Sequence, residues 1–374
     1  MPCAHRYFLP GHVWYITYRC HDRTSFLVCD AVADLAVIGG VLKMRRLLAA
    51  LCVILAVALG IGQQAVAQKS TPKITVGYSS FNMPAAVVWI AKEERLFSKY
   101  GLNEELIFIP GGTTAMSALV SGNIDFAQLT GSPGAYAYVG GADVVYLAAA
   151  MDSMSYQIIV RPETRSVQEL KGKRIGISRF GASPDVAVRM ALRKLGLNPE
   201  TDVSIIQTGG SPERLAALLG KKVDATVLNA PFDRVAQRNN LAILADTSKM
   251  DLAYFDTGIV TTRRFVKAHE DTVRQFMKAY VEGIAVFKTK KARTLAIASR
   301  YARISDGEAL DEAYEYFVNK IPRYPQPTLA GMQTVLNELA RSNPKAGIIK
   351  PEELIDGRFV RELQNSKFSD AFYK

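Results

Sequence analysis

Two short stretches of this 374-residue chain are the best supplied for chemistry: Gly111-Gly112-Thr113-Thr114 and Thr130-Gly131-Ser132-Pro133. Each combines glycine with hydroxyl side chains, and each follows an apolar run, residues 106–109 ahead of the first and 124–129 ahead of the second. The apolar runs read as buried strands, and Met116, Leu119 and Val120 give the segment between them the apolar face of a helix. Gly122 ends that helix, because glycine enters the left-handed region without a steric cost. One strand–helix–strand unit therefore sets two hydroxyl-rich turns side by side at the carboxyl edge of a parallel sheet, where open α/β sheets bind ligands. Free backbone N–H groups at a helix start suit an anion or an acceptor-rich group. The same residues also make an ordinary helix cap.

Other chemistries are poorly supplied. All four cysteines (Cys3, Cys20, Cys29, Cys52) and three of the four histidines lie in residues 1–67, leaving His269 alone beyond them. A segment without cysteine has no disulfide or thiol nucleophile, and a single histidine builds no Cys/His metal cluster. A serine triad would have to use His269, whose polar neighbours read as a solvated helix start. We therefore expect no enzyme, no metal and no cofactor. The chain carries a formal charge of +11, but its lysines and arginines are scattered rather than gathered into an aromatic-interleaved stripe, so nucleic acid is not an expected partner.

A second copy of the central pattern places it in a larger plan. Lys73-Ile74-Thr75-Val76-Gly77 is echoed by Lys173-Arg174-Ile175-Gly176-Ile177, and Ala118-Leu119-Val120-Ser121-Gly122 by Ala217-Leu218-Leu219-Gly220-Lys221. Two copies imply two similar α/β lobes with a cleft between their strand ends, not a stacked array. In the first lobe we expect strands at 74–78, 106–109, 124–129 and 144–149 and a helix over 85–99. The strand at 157–160 should leave that lobe, and the strand at 259–262 should return to it. Helices are expected over 273–288, 293–301, 309–320 and 329–340. A lobe entered, left and re-entered has two crossovers, which is hinge topology. The expected lobes are 72–162 with 250–374, and 163–249.

The first 67 residues read differently. Met44-Arg45-Arg46, the apolar run 47–61 and Ala65-Val66-Ala67 before Gln68 have the form of a cleaved export leader over 44–67. Residues 1–43 read as an upstream extension, and Pro10-Gly11-His12-Val13-Trp14-Tyr15 resembles the opening of IS200-like transposases over residues 1–28. The later metal motif of such proteins does not follow. Cleavage after Ala67 would remove six of 46 basic and three of 35 acidic residues, leaving a net +8.

Residues 72–374 resemble the periplasmic solute-binding proteins of nitrate/sulfonate/taurine-type ABC importers, relatives of thiamine-pyrimidine precursor binders. The resemblance rests on Ile90-Ala91-Lys92-Glu93-Glu94-Arg95-Leu96-Phe97, Gly111-Gly112-Thr113, Leu119-Val120-Ser121-Gly122-Asn123-Ile124-Asp125, Leu170-Lys171-Gly172-Lys173-Arg174-Ile175-Gly176 and Leu218-Leu219-Gly220-Lys221-Lys222-Val223-Asp224. It implies a class II two-lobe fold with a hinge, a monomer in the periplasm, a small solute in the cleft, and permease and ATPase subunits as partners. A sensory role, or a pyrimidine precursor as ligand, is the alternative. Carried onto this chain, the resemblance implies a pocket from Ser79, Ser80, Phe81, Gly112, Thr113, Thr114, Thr130, Gly131, Ser132 and Asp152 in one lobe. In the other it implies Ser178, Arg179, Phe180, Gly181, Ser183, Gly210, Ser211, Asn229 and Phe232. Hydroxyls and N–H groups would meet solute oxygens, the phenylalanines would flank an apolar or planar body, and Arg179 would pair an acidic group.

Overall fold

Each repeat of the sequence builds one five-stranded sheet in the computed structural model, which describes residues 71–373. The expected leader at 44–67 and the stretch 1–43, with its transposase-like opening, lie outside the described residues. The first repeat runs β1 (Lys73–Tyr78), α1 (Ala86–Glu93), β2 (Asn103–Phe108), α2 (Gly112–Val120), β3 (Phe126–Leu129), α3 (Gly131–Val139) and β4 (Val144–Ser153). The second runs β5 (Gln157–Val160), β6 (Arg174–Ile177), α4 (Ser183–Lys194), β7 (Ser204–Gln207), α5 (Ser211–Leu219), β8 (Ala225–Leu228), α6 (Phe232–Arg238) and β9 (Ala242–Asp246). Then β10 (Ala253–Thr262) leads to α7 (Glu270–Thr289), α8 (Lys291–Ala302), α9 (Gly307–Val318), α10 (Leu329–Ala340) and α11 (Arg358–Asn365).

The strand orders are β2-β1-β3-β10-β4 and β7-β6-β8-β5-β9. In each sheet the fourth strand, β10 or β5, is the first to follow a crossover between the lobes, and it runs antiparallel to its neighbours. The central strands β3 and β8 are buried at every position, as strands covered by helices on both faces must be, whereas the edge strands β2 and β7 are partly exposed. Helix α7 crosses the first lobe, where Phe276 stacks on Phe126 at 4.0 Å between ring centroids.

Several expected boundaries shift. The helix expected over 85–99 breaks at Arg95, whose φ of 54° interrupts the helical hydrogen-bond ladder, and a separate turn, Leu96–Lys99, follows. Strand β4 continues past residue 149 because β10 pairs with it as far as Ala253 opposite Ser153. For the same reason β10 begins at Ala253 rather than 259. The chain crosses between lobes ahead of β5, before residue 163. There the two crossing strands are joined: Ser155 Oγ donates to Asp256 Oδ2 at 2.9 Å, and Thr247 Oγ1 donates to the Tyr156 carbonyl at 2.7 Å.

Candidate functional site

Four helices begin at one cleft between the lobes. Gly111 and Gly112 at the start of α2, Thr130 before α3, Ala182 and Ser183 at α4, and Gly210 and Ser211 at α5 all line it. None of the four carries a side-chain cap on its first-turn N–H groups. Those donors, with the positive ends of four helix dipoles, converge on the same space. The glycines are needed there: Gly111 has φ of 87°, and a Cβ would approach Arg179 Cγ of the other lobe to 3.1 Å. The lobes also meet where Tyr136 packs against Gly181, and Met83 N donates to the Ala230 carbonyl at 3.3 Å. The closed cleft encloses about 50 Å³, room for a few waters or one compact polar group, since one water needs roughly 10–15 Å³ of such space.

Arg214 supplies the charge. It stands one turn into α5, is 3% exposed and lines the cleft. Its Nε and Nη1 donate to the carbonyls of Val227 and Gly209, each at 3.1 Å, and its Nη2 donates to Ser211 Oγ at 3.0 Å. No carboxylate among the described residues pairs with it, and none of the described residues lining the cleft is acidic. Burial pushes its guanidinium down to about 10, which still leaves it charged at neutral pH. Two other buried polar atoms of cleft residues have no protein partner, Gln128 Oε1 and Ser183 Oγ. Tyr156 lines the floor, its phenol pushed up to about 12 first by burial and then by Asp256. The apolar wall is Phe81 against Phe108, with ring centroids 4.3 Å apart. The arrangement can desolvate a small oxygen-rich group and meet it with fixed donors and one cation.

Among the residues singled out in the sequence, Ser79, Ser80, Phe81, Gly112, Thr130, Ser178, Ser183, Gly210 and Ser211 line this cleft. The others lie off it. Thr113, Phe180 and Gly181 line a separate groove at the cleft mouth, where Phe180 is 50% exposed. Thr114 faces solvent. Arg179 sits in a shallow depression on the rim with Gly111, so it is not the cation of the cleft. Gly131 and Ser132 are buried in the first turn of α3, where Ser132 Oγ accepts from the Tyr254 hydroxyl at 3.1 Å. Asp152, near the end of the edge strand β4 and outside the cleft lining, accepts from the Thr328 hydroxyl ahead of α10. Asn229 is buried just ahead of α6, its side-chain NH2 without a partner, and Phe232 is packed into the core. His269 stands at the start of α7 against Phe265, outside the cleft lining.

Asn82, Gln128, Tyr156, Arg214 and Thr257 line the cleft without having been read from the sequence. Two carried a signal. Gln128 is a lone polar residue in an apolar strand run, and Arg214 falls three residues after Ser211, on the same helix face. Tyr156 and Thr257 carried none, because they reach the cleft at the crossovers between the lobes, Tyr156 just ahead of β5 and Thr257 within β10.

Relatives agree with this architecture. A protein of Brucella abortus (strain 2308) named as a binding protein is 24% identical over 244 residues, covering 64% of this chain and 75% of its own. A protein of Escherichia coli (strain K12) named as an aliphatic sulfonates-binding protein is 23% identical over 253 residues, covering 66% and 77%. Among solved structures, the alkanesulfonate-binding protein SsuA from Xanthomonas axonopodis pv. citri, bound to MOPS, superposes with a TM-score of 0.63 at 20% identity, over 76% of this chain and 98% of its own. The fold is thus the two-lobe α/β fold of periplasmic binding proteins, with the hinge at the two crossovers. The model of the NMT1-like family matches residues 67–301, and with its paired sheets and interlobe cleft the chain belongs to that family.

Proposed function

We propose that the protein is a non-catalytic receptor which captures a small oxyanion or organic anion in the interlobe cleft and delivers it to an ABC permease. The observation that carries this reading is Arg214, a buried guanidinium without a carboxylate, in a cleft lined by four open helix N-termini and no acid. A nitrate- or sulfonate-like group supplies the missing negative charge and acceptor oxygens together. A taurine-like zwitterion fits less well, since its ammonium would meet no carboxylate. The leader-like segment at 44–67 and the relatives named for binding and for aliphatic-sulfonate binding support a periplasmic location and a permease partner. No helix of the described residues is long and apolar enough to cross a membrane.

A thermal-shift screen tests the reading. A ligand that binds only the folded state at a hundredfold excess over Kd stabilises it by about 2.7 kcal/mol. Alkanesulfonates, nitrate or aromatic carboxylates should raise the melting temperature, and taurine should raise it less. A panel in which only neutral pyrimidines shift the melt would sink the anion reading. A broad panel without any hit would sink the receptor reading.

A further inference from the structure

Beyond the cleft, ion pairs join the lobes on two flanks. On one, Arg193 of α4 pairs with Glu338 of α10, beside the Tyr136–Gly181 contact. On the other, α6 presents Arg234 and Arg238 to the start of α9. Arg234 Nε lies 3.2 Å from Glu312 Oε2, while Arg238 lies 3.3 Å from Asp306, 3.1 Å from Glu308 and 3.0 Å from Glu312. Helix α9 is anchored to the first lobe by Lys291, which pairs with Asp311 at 2.7 Å and Glu315 at 2.6 Å, and by Tyr314 against Phe287. Asp306 is held in place as the cap of α9, accepting from Ala309 N at 2.9 Å.

The flanks differ in what remains when the lobes part. Arg193 keeps Glu200 of its own lobe at 2.5 Å, and Glu338 keeps Arg341, the residue that caps the end of its own helix, at 3.3 Å. Among the described residues, Arg234 and Arg238 have no ion-pair partner from their own lobe. We infer that the Arg234/Arg238–Asp306/Glu308/Glu312 cluster is an electrostatic clasp that holds the lobes closed before any solute arrives. Opening exchanges the Arg193 flank between partners but strips the clasp of all its acids, so the clasp sets the open–closed balance. Exposed pairs are individually weak, and several acting together on one motion shift that balance about tenfold.

Hydrogen exchange on the full chain, without added solute, reads the closure. The first-turn amides of α4 and α5 face the cleft, so peptides over 178–184 and 208–214 report opening. At about 0.02 M salt these peptides should be protected, and at about 1 M salt, where charges are screened beyond roughly 3 Å, they should exchange about tenfold faster. The double variant Arg234→Gln with Arg238→Gln should exchange at the fast rate in both salts, with the β3 and β8 amides unchanged. Arg193→Gln should have a smaller effect. Slow exchange of the cleft peptides in the double variant at low salt would overturn the clasp. Should the double variant lose protection in β3 and β8, the wild-type salt response decides: cleft peptides indifferent to salt would equally overturn it.

Discussion

Replacing Arg214 with glutamine separates binding from stability, because the structure assigns it a cost and a benefit of similar size. A guanidinium pushed down to about 10 by burial destabilises the charged folded state by roughly 3 kcal/mol. Against this it satisfies the Val227 and Gly209 carbonyls and Ser211 Oγ, and orphaning a buried acceptor costs about 1–3 kcal/mol. The two effects offset in the solute-free protein, so Arg214→Gln should change its stability by less than about 2 kcal/mol. Its neutral-pH stability should keep the same slope. The folded arginine loses its proton before the unfolded one, so the charge penalty is constant below about pH 10 and lifts only as pH rises through that value. A bound anion removes the penalty, so the variant should bind an anionic hit roughly a hundredfold more weakly, the equivalent of about 3 kcal/mol. Titration calorimetry with that solute, alongside a melt of the solute-free protein, provides the measurement. Unchanged affinity together with a drop of several degrees in melting temperature would show that Arg214 only braces the Gly209 and Val227 carbonyls.

Two further substitutions probe the floor and the hinge. Gln128→Leu removes a buried acceptor that has no protein partner, but also the Nε2 that donates to the Pro84 carbonyl at 3.4 Å and the Tyr280 hydroxyl at 3.3 Å. These effects oppose each other, so the solute-free protein should change in stability by less than about 2 kcal/mol while solute binding weakens about tenfold, and a variant with full affinity would contradict the placement of that oxygen. Burial pushes Asp256 up to about 7, only partly opposed by the Ser155 hydroxyl, so the folded state takes up this proton first and stability falls by up to about 4 kcal/mol as pH rises from about 4 to 7. Asp256→Asn should flatten that fall and raise the melting temperature at pH 8; superimposable pH–stability curves for the two proteins would refute the assignment.

How much of the site could be read in the chain depends on how local each signal was. Ser79, Ser80, Thr130, Ser178 and Gly210 line the cleft, and each lies just past a strand at the carboxyl edge of a sheet. A strand end and the turn after it are set by neighbours in sequence. Which side chain of a turn faces inward is not. Gly181, with φ of 75°, redirects the chain, and Phe180 is left half exposed. Thr113 and Thr114 rotate away because Ala115, Met116 and Leu119 claim the buried face of α2.

The sequence by itself determined the two βαβ repeats, the hydroxyl- and glycine-rich strand ends, and the absence of cysteine after residue 67, because composition and short-range periodicity carry that information directly. Only the tertiary structure decided that Arg214 rather than Arg179 is the cation of the cleft, since burial depends on how α5 packs against β8 and on the approach of the other lobe. Only it could bring Tyr156 and Thr257 to the floor and Arg238 to Glu312, 74 residues away. Those contacts exist because β5 and β10 each cross to the opposite sheet, and a pairing between strands distant in sequence leaves no local pattern to read.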